Sequence, residues 1–220
     1  VINSALNTFS YHKKAYTIIS SILEEQSKKF FEKNKKNKKE FFFKGNKNSK
    51  IEMRDINFSY PSRKEHLVLE NINLEIFEGD IFGIFGKSGE GKSTIIDLIM
   101  GLITPDKGSI KFNGIDINGD LDNWISMVGY VPQNISLIDD TLVRNIALAI
   151  NDNDINYKKI NEIIKLSQLE KFINSHQRNS ILGERGVQVS GGEKQRIGIA
   201  RALYHDRPIY IFDEATNALD

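Results

Sequence analysis

Nine consecutive residues, Gly86-Lys87-Ser88-Gly89-Glu90-Gly91-Lys92-Ser93-Thr94, combine the types needed to hold a polyphosphate. They fit G-x-x-x-x-G-K-[ST], in which glycines let the backbone curl until successive N–H groups face one anion. A predicted apolar helix over 95–102 follows and adds the positive potential of its N-terminus. Lys92 would reach the β- and γ-phosphates, and Ser93 would give its hydroxyl oxygen to Mg2+. Near the other end, the apolar strand Ile209-Tyr210-Ile211-Phe212 runs into Asp213 and Glu214. Ligands of open α/β sheets sit at the carboxyl ends of strands, so this pair can converge on the phosphate loop. Asp213 would hold Mg2+, directly or through water, while Glu214 orients the attacking water and takes its proton. A third element, Val189-Ser190-Gly191-Gly192-Glu193-Lys194-Gln195-Arg196, precedes a helical run over 197–203. The Ser190 hydroxyl and the Gly191 and Gly192 amides at a helix N-terminus can grip a second phosphate. One phosphate loop with two anion sites implies a second nucleotide.

Plainer readings compete with each of these: a flexible glycine turn, an acidic turn after a strand, an ordinary helix start. A chance match to the phosphate-loop pattern in a chain of this length is on the order of one in a hundred. The strand-loop-helix context lowers that further.

The elements that must position these residues begin at Ile51, where short β-rich runs cover 51–59, 68–76 and 81–85. The last run is almost wholly apolar, which predicts a strand buried on both faces of a parallel sheet. Further strands are expected at 109–112, 128–131 and 209–212, with a mainly helical stretch between the last two over 142–149, 156–165 and 193–203. The expected fold class is α/β, a sheet with a helical insertion. Trp124 reads as core packing rather than nucleotide contact.

Upstream, Ile2, Leu6, Phe9, Tyr16, Ile19 and Leu23 recur at helical spacing, so 1–27 is expected to form an amphipathic helix in need of a partner. Residues 28–50 hold ten lysines against Glu32 and Glu40 and read as a basic linker. Because the whole chain carries only +1, residues 51–220 are net acidic, which argues against a nucleic-acid-binding face. The absence of cysteine excludes a disulfide framework, a thiolate zinc site and a cysteine nucleophile. No run approaches the 18 or so apolar residues of a membrane-spanning helix, and no secretory signal opens the chain. A start at Val1 and a stop at Asp220 within a motif read as a fragment at both ends.

The Ser190–Arg196 stretch resembles the LSGGQ signature of ATP-binding cassette (ABC) ATPases. Other family elements follow in order. Gln133, in Val-Pro-Gln, resembles the Q-loop glutamine, which the resemblance implies contacts Mg2+ and the attacking water. Tyr60, in Phe-Ser-Tyr-Pro, resembles the aromatic that stacks on adenine. Residues 217–220 resemble the D-loop. Read singly, Tyr60 could cap a strand edge and Gln133 could be a loop amide.

The resemblance covers residues 51–220. It implies a P-loop NTPase with a RecA-like core, an antiparallel β subdomain and a helical insertion at about 134–205, truncated at its C-terminus. It further implies ATP and Mg2+ as cofactors, and a second cassette, as a homodimer, paired head to tail so that each signature closes on its partner's ATP. Two departures stand out: Val189 replaces leucine, and Glu193 replaces glutamine, bringing negative charge beside a phosphate site. Asn217 stands where serine is usual.

Gly183-Glu184-Arg185-Gly186 and Thr141-Leu142-Val143-Arg144-Asn145-Ile146 resemble exporter-type ABC transporters, and more narrowly bacterial lipid-linked oligosaccharide and polysaccharide flippases. Such proteins fuse a transmembrane domain ahead of the cassette. The 1–27 helix would then be the cytosolic end of its last span, on the cytoplasmic face of the membrane. A soluble ABC ATPase without a membrane domain is the competing class. The family's switch histidine lies beyond the D-loop, so a fragment ending at Asp220 is expected to hydrolyse ATP poorly by itself.

Overall fold

The computed structural model describes residues 49–175, 180–183 and 189–214. The expected 1–27 helix, nearly all of the basic linker, Glu184 to Gly186 and the D-loop residues lie outside them.

Four strands form an antiparallel sheet in the order β2 (Leu69–Phe77), β1 (Lys50–Phe58), β3 (Lys107–Phe112), β4 (Ile115–Asp116). β1 sits between two partners, with Met53 opposite Leu74 on one side and Ile110 on the other. Alternation of apolar and polar residues along these strands turns one face toward a core. Met53, Ile56, Ile110 and Phe112 are buried there together with Leu98 and Ile99 of helix α1 (Lys92–Met100) and Trp124 of helix α2 (Leu121–Ser126). Trp124 is fully buried, and its indole N–H donates to the Ile99 carbonyl at 2.8 Å, as an interior tryptophan requires.

A second sheet pairs β5 (Val128–Val131) with β6 (Ile209–Phe212) in parallel, Val131 opposite Phe212. Val128, Ile209 and Ile211 pack against the same core as α1. Between β5 and β6 the chain makes α3 (Leu142–Ile146), α4 (Tyr157–Leu166), α5 (Glu170–Ser175) and α6 (Gly191–Tyr204). Their stripes meet in a separate core that includes Ile146, Ile160, Leu169, Leu182, Ile197 and Ala200. In α4 the buried residues Ile160, Ile163 and Ile164 recur at the three- and four-residue steps of one helical face. This is the α/β cassette with an antiparallel subdomain and a helical insertion.

Two expectations fail. Residues 81–85 form no strand; Ile81 and Phe85 are 102% and 94% exposed. A strand hidden on both faces needs a neighbour at each edge, and among the described residues the parallel sheet consists of β5 and β6, neither of which pairs with this segment. Apolar composition states a demand for burial and does not supply the neighbour. Lys50, assigned to the linker by its charge, instead opens β1.

Candidate functional site

The phosphate loop turns into α1 through Gly91, whose φ of 87° lies in the left-handed region. A Cβ there would meet Leu69 Cδ2 at 2.9 Å and Val68 Cγ1 at 3.2 Å, so both conformation and space call for glycine. No side chain caps α1. Lys92 Nζ instead folds back over the loop, donating to the carbonyls of Gly86 at 2.9 Å and Lys87 at 2.8 Å. The Lys87 N–H donates to Glu90 Oε2 at 2.7 Å, which ties the loop across its own mouth. Ser88, Gly89, Glu90 and Ser93 are exposed, while Thr94 is buried. The Thr94 hydroxyl lies 3.0 Å from the Tyr60 hydroxyl, which brings the predicted adenine-stacking ring beside the first turn of α1. Phe58 holds that ring edge-on, centroids 5.0 Å apart.

β5 and β6 deliver the acidic part of the site because parallel strands end on the same side of their sheet. Two residues beyond β5 comes Gln133, and directly beyond β6 come Asp213 and Glu214. The Asp213 N–H donates to the Val131 carbonyl at 3.0 Å, extending the ladder. Gln133 Nε2 donates to Glu214 Oε2 at 2.7 Å. Glu214 takes a φ of 48°, left-handed for a residue with a side chain, a conformation held only where its surroundings enforce it.

Asp213 accepts a hydrogen bond from the Tyr130 hydroxyl at 3.3 Å. Its charge also reaches Asp97 of α1, whose carboxyl is pushed up by burial and then by the Asp213 charge. Tyr130 is raised by burial first, with both carboxylates adding to it. Neither Asp97 nor Tyr130 stood out in the sequence. Asp97 lies inside an apolar helix and Tyr130 inside an apolar strand, with no spacing signal to single them out.

The second anion element opens α6. Ser190 is its N-cap, its Oγ accepting from the Glu193 N–H at 3.3 Å. Glu193 answers with one carboxylate oxygen, Oε2, which accepts from the Ser190 N–H at 2.8 Å and from the Ser190 hydroxyl at 2.7 Å. This is a capping box, S-x-x-E, and it supplies the reason for a glutamate where charge alone argued against one. The spacing was visible in the sequence.

The profile of the ABC transporter family matches residues 69–217, more than half of the chain. The chain belongs to the ABC transporter family. Among its relatives, an ATP-dependent lipid A-core flippase of Pectobacterium atrosepticum is 44% identical over 173 residues, covering 77% of this chain and 29% of the flippase. An alpha-hemolysin translocation ATP-binding protein of Proteus vulgaris is 42% identical over 176 residues, or 79% of this chain and 24% of that one. Among solved structures, a bacterial Atm1-family ABC exporter with ATP bound superposes with a TM-score of 0.75 at 33% identity, covering 84% of this chain and 32% of the exporter. The chain thus spans about a third or less of the length of these ABC relatives. Among the described residues, no helix is long and apolar enough to cross a membrane.

Proposed function

We propose that this chain is the nucleotide-binding cassette of an ATP-driven exporter, hydrolysing MgATP at a site built from the phosphate loop, Gln133, Asp213 and Glu214. The observation that carries this reading is the direct hydrogen bond between Gln133 and Glu214, 81 residues apart, at the ends of two parallel strands that share a core with α1. In-line hydrolysis needs water held opposite the leaving group and an acceptor for its proton. Glu214 supplies the acceptor, and Gln133 orients the carboxylate and the water. The loop amides from Gly86 to Thr94 and Lys92 bind the phosphates, and the Tyr60 ring takes the adenine.

Bound Mg2+ would neutralise charge developing on the phosphates. The donors suit it: Ser93 Oγ and the Asp213 carboxylate are hard oxygen ligands, and Mg2+ takes one or two carboxylates plus substrate phosphates rather than an all-protein cage.

Ser190, Gly191, Gly192 and Glu193 would face the nucleotide of a second cassette, most simply another copy of this chain. Residues 1–27 would continue from a membrane span and 28–50 would lead into the cassette, which works at the cytoplasmic face. The relatives named as flippase, translocation protein and exporter support the transport assignment.

In the purified full-length protein, Glu214→Gln should leave MgATP affinity within a few-fold of wild type and lower turnover by roughly 100-fold or more. Wild-type turnover in that variant would refute the role given to Glu214.

A further inference from the structure

Gln133 sits on an exposed loop, so its position depends on what anchors the residues after it. Those residues rest on α6. Gly198 lies in the middle of that helix, where a glycine weakens helical structure. A Cβ on Gly198 would come within 2.3 Å of Ile135 Cδ1 and 2.8 Å of its Cγ1, so Ile135 packs directly on the helix backbone. One turn further along the same face, Arg201 reaches the next residue of the loop, an Nη2–H donating to the Ser136 carbonyl at 3.1 Å. Its Nε–H donates to the Asn145 carbonyl of α3 at 2.9 Å. Asn145 is itself fully buried and closes the other side of the loop. Its Oδ1 accepts from the Ile138 N–H at 3.0 Å, and its Nδ2 donates to the carbonyls of Ile138, Asp140 and Thr141 at 3.1 Å each.

We propose that Gly198 and Arg201 form a latch that fixes the Gln133 loop to the signature helix, making Arg201 a positioning residue for the hydrolytic site. The connection runs from Arg201 to Ser136, back along the loop backbone to Gln133, and on to Glu214. Because α6 begins at the Ser190 cap, the helix that would meet the partner's nucleotide is pinned to the glutamine that serves this chain's own. A planar guanidinium suits the task, since its fixed fork presents two separate N–H groups, on Nε and Nη2, to carbonyls on two different elements. This inference rests on the reading of Gln133 and Glu214 given above; the docking of the loop itself does not.

The test uses the full-length protein with Arg201→Met, Arg201→Lys, Gly198→Ala and Gly198→Ala/Ile135→Ala. Amide hydrogen exchange would be followed over 134–138 and along α6, and turnover would be expressed per bound nucleotide so that misfolded protein does not count. Arg201→Met should speed exchange in the loop about tenfold with α6 unchanged, and lower turnover per bound MgATP roughly tenfold with nucleotide affinity within about twofold. Arg201→Lys should fall between it and wild type. Gly198→Ala should act in the same direction, and removing Ile135 in that background should restore at least about half of the lost turnover, because the clash is then relieved.

Three results would overturn the latch: turnover per bound nucleotide within about twofold of wild type in Arg201→Met, exchange raised equally along all of α6, or no rescue by Ile135→Ala. A wild-type protein that binds no MgATP would instead fail the functional reading, and the exchange measurement would still judge the latch.

Discussion

At the start of α1 Gly91 adopts a left-handed φ and offers no side chain to the first turn, whereas at the start of α6 Ser190 is extended and shares a reciprocal box with Glu193. Both junctions face the same problem, since the first four N–H groups of any helix lack internal partners. α6 solves it within its own sequence. On the proposed reading α1 leaves its first turn to an incoming anion, while Lys92 rests on the loop's own carbonyls. The first arrangement gives a helix that stands by itself and yields a donor only when Glu193 lets go; the second gives a site that a phosphate completes. On this reading Glu193 has two effects of opposite sign: it stabilises the signature helix and competes with phosphate for both donors of Ser190.

The largest expected effect breaks the open junction. Lys92→Met should weaken MgATP binding by roughly 10- to 100-fold, the weight of hydrogen bonds to a charged group, as read by titration of the full-length protein. Ser190→Ala should leave that affinity unchanged. It should weaken ATP-driven association of two cassettes about tenfold and lower the melting temperature by a few degrees, as loss of an N-cap worth about 0.5–2 kcal/mol implies. Equal loss of first-site affinity in both variants would erase the distinction between the junctions.

Glu193→Gln is the sharper probe, because glutamine keeps the box and removes the charge. ATP-driven association should tighten by about threefold or more, with the melting temperature held within about 2 °C. Weaker association would mean that the carboxylate assists phosphate binding.

The smallest effect concerns the far end of α6, where His205 follows the last turn. Burial holds its imidazole below the ordinary histidine value, and the charges of Arg207, Lys159 and Arg201 push the same way against a raising hydrogen bond to the Leu148 main chain. A depressed folded-state value favours the neutral ring. The stability it contributes is present above about pH 6.5, the ordinary value, and is lost as pH falls from there through the depressed one. His205→Asn should flatten that acid limb in thermal melts between pH 7 and 5 without touching nucleotide binding; an unchanged limb would count against it.

Much of this comparison was legible in the sequence because it is local. Glycine spacing, the apolar run into Asp213-Glu214 and the S-x-x-E box all lie within a few residues, and amphipathic periods place α4 and α6. What stayed hidden depends on contacts across the chain. The Asp213 charge reaches Asp97 only through the fold, and Gln133 meets Glu214 only because β5 and β6 are parallel neighbours. Glu193 and its partner Ser190, three residues before it, were both in plain view, but read by its charge alone the glutamate looked like an intrusion rather than a cap. Residues 81–85 failed in the opposite direction: composition promised a buried strand, and among the described residues no flanking strand pairs with them.

The most direct test of two junctions serving two different nucleotides is complementation between defective full-length chains. Lys92→Met disables the phosphate loop, and Gly191→Asp places a negative charge at the exposed first turn of α6 while suiting the helix dipole. Each variant alone should be inactive. Co-assembled, the Lys92→Met chain lends its sound signature to the sound loop of its partner, so MgATP hydrolysis should return to about half of wild type per mixed dimer. Mixed dimers that form and bind MgATP yet stay as inactive as either parent would contradict the account.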